Sequence, residues 1–401
     1  MRIQRDRSRL SFRKQYPRRR RSGCMSLAVV LGVLINVILL SWSWLGGRLN
    51  FAQSPTTDLA TAAQQAFERG DLDSAVNLSQ QALVTQSENT ALLTLLARAL
   101  VYRSYTDYYR AGDRQSALEL TSDALSRSPN NLDILAAHAF ALQADEQPAI
   151  AAQIAERVLQ RDPSNVLART AMALAYGSVG SFEIAMRESL RASQAESDFQ
   201  LDALRALAIS YSDLGDYQNA SSAVMRAIQL NNRLTPLYFE RALYAMQRGD
   251  ADTATTAYFQ ILSYDPENVK ARLRLCELSS LMRERDSAID YCEQVTSLAP
   301  NWSDGWYQLG REYFLQGDFA AAQSHLHRCA SLQVMQGVPV DARRFECWYL
   351  QGQAAEILGD CESLVATYNE FRAMAASESV QQTWTYPPEG PPGCVTLTPI
   401  T

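Results

Sequence analysis

Residues 303–322 read SDGWYQLGREYFLQGDFAAA, with Trp306, Leu309, Gly310, Tyr313, Gly317-Asp318-Phe319 and Ala322 as its fixed points. Positions 306, 309, 310 and 313 lie three and four residues apart, the spacing of one helix face. Gly317 then stops that helix, and Asp318 is placed to cap the next one. The stretch therefore reads as a helical hairpin. Its turn glycine returns along the chain as Gly70, Gly112, Gly180, Gly215, Gly249, Gly317 and Gly359, near every 34 residues or 34 plus an insertion. A period of this length predicts stacked supersecondary units and no single globular core.

On a 34-position frame with the turn glycine at position 15, units begin near Thr56, Thr90, Leu132, Val166, Leu201, Thr235, Val269, Ser303 and Phe345. Position 8 is small in all nine: Ala63, Ala97, Ala139, Ala173, Ala208, Ala242, Cys276, Gly310 and Gly352. Position 20 is Ala75, Ala117, Ala151, Ala185, Ala220, Ala254, Ala288 and Ala322, with Leu364 as the exception. Small residues at both points let two antiparallel helices approach closely. Pro129, Pro163, Pro266 and Pro300 follow the second helix, where proline ends a helix and presets a turn.

This pattern resembles the tetratricopeptide repeat family over Thr56 to about Ser377. Residues 201–232, with Leu207, Ala208, Tyr211, Gly215-Asp216-Tyr217, Ala220 and Ala227, carry it nearly as well as 303–332. The resemblance implies an all-α, right-handed superhelical solenoid of about nine hairpins, with the first helix of each lining the inside. Glu146 and Arg283 replace the turn glycine, so a different turn geometry is expected there. About eight extra residues follow Leu100 and include Tyr102, Tyr105, Tyr108 and Tyr109. They are expected to add helical turns that project past the stack or to pack on the next hairpin.

The front of the chain is of another kind. Residues 1–24 hold ten basic residues against the one acid Asp6, and residues 25–45 hold no ionisable group. Twenty-one apolar and small residues are enough to cross a hydrocarbon core of roughly 30 Å as one helix. The basic flank predicts that 1–24 stay cytoplasmic, and that everything after the span lies outside. A cleaved signal peptide is the alternative, against which stands the poor small-x-small exit site at Ser41 and Ser43. Residues 46–55 read as a linker, 56–378 as the solenoid and 379–401 as a Pro/Gly-rich tail. Removing 1–24 from the 37 basic and 43 acidic residues leaves 27 and 42, a net of −15. An acidic domain argues against nucleic acid as a partner.

Cys24 precedes the span, and the other six cysteines are Cys276, Cys292, Cys329, Cys347, Cys361 and Cys394. Six cysteines outside the cell membrane suggest disulfides, with fifteen connectivities open. On the repeat frame Cys276 and Cys292 face each other within one hairpin, and Cys329 and Cys347 span the long connection before the last hairpin. Cys361 and Cys394 remain, and would pin the tail. Buried free thiols are the alternative, because these positions want small apolar groups.

No catalytic constellation is apparent. His325 and His327 diverge by about 200° on a helix, no phosphate loop or nucleophile elbow is present, and no cofactor or metal is expected. Groove positions are the candidates for contact: Arg205, Phe239, Lys270, Tyr307, Arg311, Phe314 and Tyr349. Aromatics and arginine are the residues that most often anchor a partner. Lys270 and Lys14 are the only lysines in the chain, so the repeated Lys/Asn set that clamps a peptide terminus in some relatives is absent. The expected function is a non-catalytic, membrane-anchored extracytoplasmic scaffold that binds another protein at the cell envelope. A groove receptor for a peptide or glycan is the alternative.

Overall fold

The computed structural model describes residues 58–375 and Cys394. The expected basic tail, membrane helix and linker at 1–55 lie outside these residues, as does the 379–401 tail apart from Cys394. No described helix is long and apolar enough to cross a membrane.

The described residues form eighteen α-helices in nine antiparallel pairs. They are α1 (Leu59–Glu68) and α2 (Leu72–Thr85), α3 (Thr90–Ser104) and α4 (Asp113–Arg127), α5 (Leu132–Ala144) and α6 (Pro148–Arg161). Then come α7 (Val166–Ser178) and α8 (Phe182–Ser193), α9 (Gln200–Asp213) and α10 (Tyr217–Leu230), α11 (Thr235–Gln247) and α12 (Ala251–Tyr264). The last are α13 (Val269–Leu281) and α14 (Arg285–Leu298), α15 (Ser303–Gln316) and α16 (Phe319–Met335), α17 (Glu346–Leu358) and α18 (Cys361–Ala375).

Each pair is held by the small residues of the frame. Ala63, Ala97, Ala139, Ala208, Ala242 and Cys276 are fully buried, as are Ala75, Ala117, Ala151, Ala220, Ala254, Ala288 and Ala322. Gly310 shows why: a Cβ there would stand 2.6 Å from the Leu326 side chain. In eight of the nine pairs the turn closes with the same backbone bond, as when Asp318 N–H donates to the Tyr313 carbonyl and Asp71 N–H to that of Ala66. This bond requires a left-handed residue just before it. Glu146 (φ 61°) and Arg283 (φ 65°) adopt that conformation too, so their turns keep the common geometry in place of the different one expected. The helix-pair packing over-determines the turn there and carries the strain of a side chain.

The exception is the second pair. Gly112 is no left-handed turn residue; it has φ −63° and precedes α4. The Tyr-rich insertion neither extends α3 nor projects outward. It leaves α3 at Ser104, makes a short 3-10 turn at Tyr108–Arg110 and crosses the inside of the array. Asp107 is buried, and its carboxylate accepts hydrogen bonds from Val269 N–H (3.0 Å) and Lys270 N–H (3.2 Å), the first amides of α13. Asn268 caps the next amide, Ala271, and donates to the Thr106 carbonyl at 3.1 Å. Tyr108 stacks on Trp302 with ring centroids 4.3 Å apart. Arg103 forks onto Asp113 (2.6 and 2.8 Å) and joins Arg110 on Asp73, fixing both ends of the strap.

Two further contacts join distant pairs. Arg98 on α3 pairs with buried Asp202 on α9 at 2.5 Å, and Tyr102 donates to the same carboxylate at 3.0 Å. Asn231 donates to the Phe67 carbonyl across 164 residues. The array therefore does more than stack neighbour on neighbour. Three disulfides, Cys276–Cys292, Cys329–Cys347 and Cys361–Cys394, hold the last three pairs.

Asp107→Ala removes the acceptor for two amides of α13 and is expected to cost roughly 0.5–2 kcal/mol. Hydrogen exchange would locate the loss at residues 266–272 as well as in the strap. Protection lost in the strap alone would show that α13 does not depend on it. Gly70 and Gly215 share a left-handed φ near 75°, but a Cβ on Gly70 would lie 2.7 Å from the Arg233 backbone while one on Gly215 meets nothing. Gly215→Ala is expected to cost about 1 kcal/mol from backbone strain alone. Gly70→Ala should cost measurably more in thermal unfolding, and equal losses would show that the contact relaxes freely.

Candidate binding groove

The strap sets the geometry of the inner face. Below it, α3 and α9 meet through Arg98, Tyr102 and Asp202, so that part of the groove is filled by the chain itself. Arg98 also lies 4.8 Å from the Phe67 ring and 4.9 Å from that of Phe199. Burial raises the Tyr102 hydroxyl well above its ordinary value, and the Asp202 carboxylate adds to this. This cluster is a packed polar core, satisfied within itself.

Beside the strap a cavity of about 450 Å³ opens between α11 and α13. Its walls are apolar: Phe239, Leu243, Met246, Tyr258, Leu278 and Leu281. Its polar groups are Arg205, Glu240, Lys270, Arg274 and Glu277, with Tyr105 of the strap as one edge. Arg205 is buried. It pairs with Glu240 at 2.6 Å and lies over the Tyr105 and Tyr102 rings at 5.1 and 5.5 Å. Burial pushes the Glu240 carboxyl up, although Arg205 opposes this. Lys270 Nζ donates to the Tyr105 carbonyl at 2.8 Å and sits 4.6 Å from the centre of the Phe239 ring. Burial first, and the field of Arg274 second, lower its pKa to about 8. A second cavity of about 260 Å³ lies on the other side of Lys270, against Tyr108, Leu273, Trp302, Gln308 and Arg344.

The seven groove residues read from the sequence fall into two sets. Arg205, Phe239 and Lys270 converge on the larger cavity. Tyr307, Arg311, Phe314 and Tyr349 lie on α15 and α17. Arg344 covers the Tyr307 ring at 4.7 Å, and Tyr307 and Tyr349 pack against the same buried cluster around Trp348 and Phe371. Arg311 reaches buried Glu312 at 3.1 Å, and Phe314 meets Phe319 edge-on at 5.3 Å. Gln353 donates to the Tyr349 hydroxyl at 2.9 Å. Arg344 and Tyr105 were missed, because both come from irregular connections that the repeat frame does not number. The run of tyrosines after Leu100 was the signal for the second of them.

His325 and His138 take packing roles, and His327 is exposed. His325 stacks between Trp306 and Tyr313, and His138 shares a hydrogen bond with Thr121 at 2.9 Å. Asn77-Leu-Ser79, Asn219-Ala-Ser221 and Asn301-Trp-Ser303 match the N-glycosylation acceptor pattern, and the first two asparagines sit inside α2 and α10.

Tetratricopeptide repeat profiles match residues 202–233 and 303–333, and another profile of the same repeat matches 245–309. No curated protein sequence matches the chain. Among solved structures, the APC/C hetero-tetramer Cut9-Hcn1 is similar at 17% identity and a TM-score of 0.55, over 82% of this chain. The chain spans 63% of the length of that structure's chain. The human IFIT1 dimer with PPP-AAAA is similar at 14% identity and a TM-score of 0.50, over 87% of this chain and 89% of that one. At such identities the likeness is one of fold alone. Matched in sequence at 202–233 and 245–333, and built of like hairpins throughout the described array, the chain carries tetratricopeptide repeats.

Proposed function

We propose that the array docks another protein on its inner face, along α15 and α17, and carries out no chemistry of its own. The observation behind this reading is the division of that face. Between α3 and α9 it is closed by an internal ion pair and the strap, whereas α15 and α17 present Tyr307, Phe314 and Tyr349 only partly buried. Aromatic side chains with apolar bodies and polar tips are the usual anchors of a protein interface. The repeat fold supports a scaffold role, and the acidic balance of the domain disfavours nucleic acid.

Two independent features support a location outside the cytoplasm. Three disulfides suit an oxidising compartment. The apolar run 25–45 behind a basic flank would hold the array at the outer face of a membrane. We read the protein as a tethered envelope scaffold on this basis. The cavity beside Lys270 favours a second reading, a receptor for a peptide-sized ligand.

Crosslinked capture from native membranes tests the first reading, with a Tyr307→Ala/Tyr349→Ala variant whose thermal unfolding matches the parent. Loss of about 1 kcal/mol or more per anchor predicts at least a tenfold drop in recovery of the specific partner. Equal capture by the folded variant would place docking elsewhere.

A further inference from the structure

Lys270 is the one lysine of the described residues, and its ammonium group has no carboxylate of those residues within 4.0 Å. It has three protons to donate, and one goes to the Tyr105 carbonyl. The Phe239 ring offers its face to the charge at 4.6 Å. The neighbouring acids have other work: Asp107 caps α13, Glu277 pairs with Arg274 at 2.5 Å, and Glu240 pairs with Arg205 through Oε1, while its Oε2 is buried without a hydrogen-bond partner and acts on Lys270 only through its field. A partly buried cation without an ion partner is costly and is normally paired. Beside it stands an apolar-walled cavity of about 450 Å³, in the size range of small-molecule sites. A charge that needs an anion and a pocket that needs an apolar body meet at one atom.

We propose that this cavity binds a small amphipathic monocarboxylate, its carboxylate on Lys270 Nζ and its aliphatic or aromatic body between Phe239, Met246 and Leu278. The carboxylate supplies the missing counter-charge and accepts the two protons that Tyr105 leaves free. The body displaces water from Leu243 and Leu281, which are 50% and 68% exposed at the rim. This site does not depend on protein docking along α15 and α17. Because Tyr105 forms its edge, the ligand would also touch the strap.

The test is calorimetric titration of the full-length chain in nanodiscs with 3-phenylpropionate, beside the neutral 3-phenylpropionamide. Binding by the acid and at least tenfold weaker binding by the amide are expected, since each 1.4 kcal/mol of lost ion pairing is about tenfold. Met246→Trp, which fills the cavity without removing the cation, and Lys270→Met should each abolish binding. The ¹⁵Nζ resonance of Lys270, read in a Lys14→Arg background, is expected to titrate near 8 in the free chain. The neighbouring groups that set this value are Arg274 and Arg114, which lower it, and Asp107 and Glu240, which raise it. A bound carboxylate favours the charged amine, so the midpoint should move up by about one pH unit or more. Equal binding of acid and amide, an unmoved midpoint, or binding retained by Met246→Trp would overturn the proposal. If Lys270→Met fails to fold, Met246→Trp and the resonance decide. A cavity that binds neither probe holds only water, and the inference fails. A segment of a partner protein bearing the same chemistry is separated by its own arm. Acetyl-Phe-Ala-Asp-amide binding while phenylpropionate does not would overturn the small-molecule assignment.

Discussion

The shape of the inner face rests on one buried carboxylate. Asp107 reaches from a connection between two hairpins to the first amides of α13, 162 residues away. A helix leaves its first amides without partners and carries partial positive charge at that end, so an anion placed there gains on both counts. Burial still raises the Asp107 pKa, because the cost of taking a charge out of water outweighs the three backbone donors around it. The contact is sustained by its surroundings: Asn268 on Thr106, Lys270 on Tyr105 and Tyr108 on Trp302 hold the strap in register.

This changes what kind of solenoid the protein is. In a simple repeat array the stability of each unit comes from itself and its two neighbours. Here the second hairpin also answers to the fifth through Arg98 and Asp202, and the strap after α3 answers to the seventh and eighth. The last three hairpins carry the disulfides, and the seventh and eighth of them also receive the strap. Short-range cross-links and long-range polar contacts thus meet at the seventh hairpin.

Most of the fold was legible because it is repeated. Nine small residues at one position and eight alanines at another name both faces of every hairpin contact, and the structure buries them. The frame suggested the pairing of Cys276 with Cys292, which stand where two helices touch, while Cys361 and Cys394 were only what remained. The strap was not legible. Its tyrosines signalled an insertion, but period reasoning is blind to contacts between residues 162 apart, and the direction of a loop is set by partners the local sequence does not contain. The left-handed Glu146 and Arg283 were misjudged for a related reason: local propensity argues against them, and packing of the flanking helices prevails. Of the groove residues, Arg205 lines the larger cavity, and its surroundings depend on Glu240 and Tyr105, one on the next hairpin and one on the strap.

The strap also imposes an order of events on the chain as it is made. Residues 105–110 emerge long before Val269 exists to receive them, whereas every hairpin turn closes within a few residues of itself. Loop closure over such a distance comes late and slowly compared with local helix pairing. The early hairpins must therefore stand as an open stack, with Asp107 and Tyr108 in water, until the seventh and eighth hairpins arrive. The groove is then the last part of the molecule to acquire its shape.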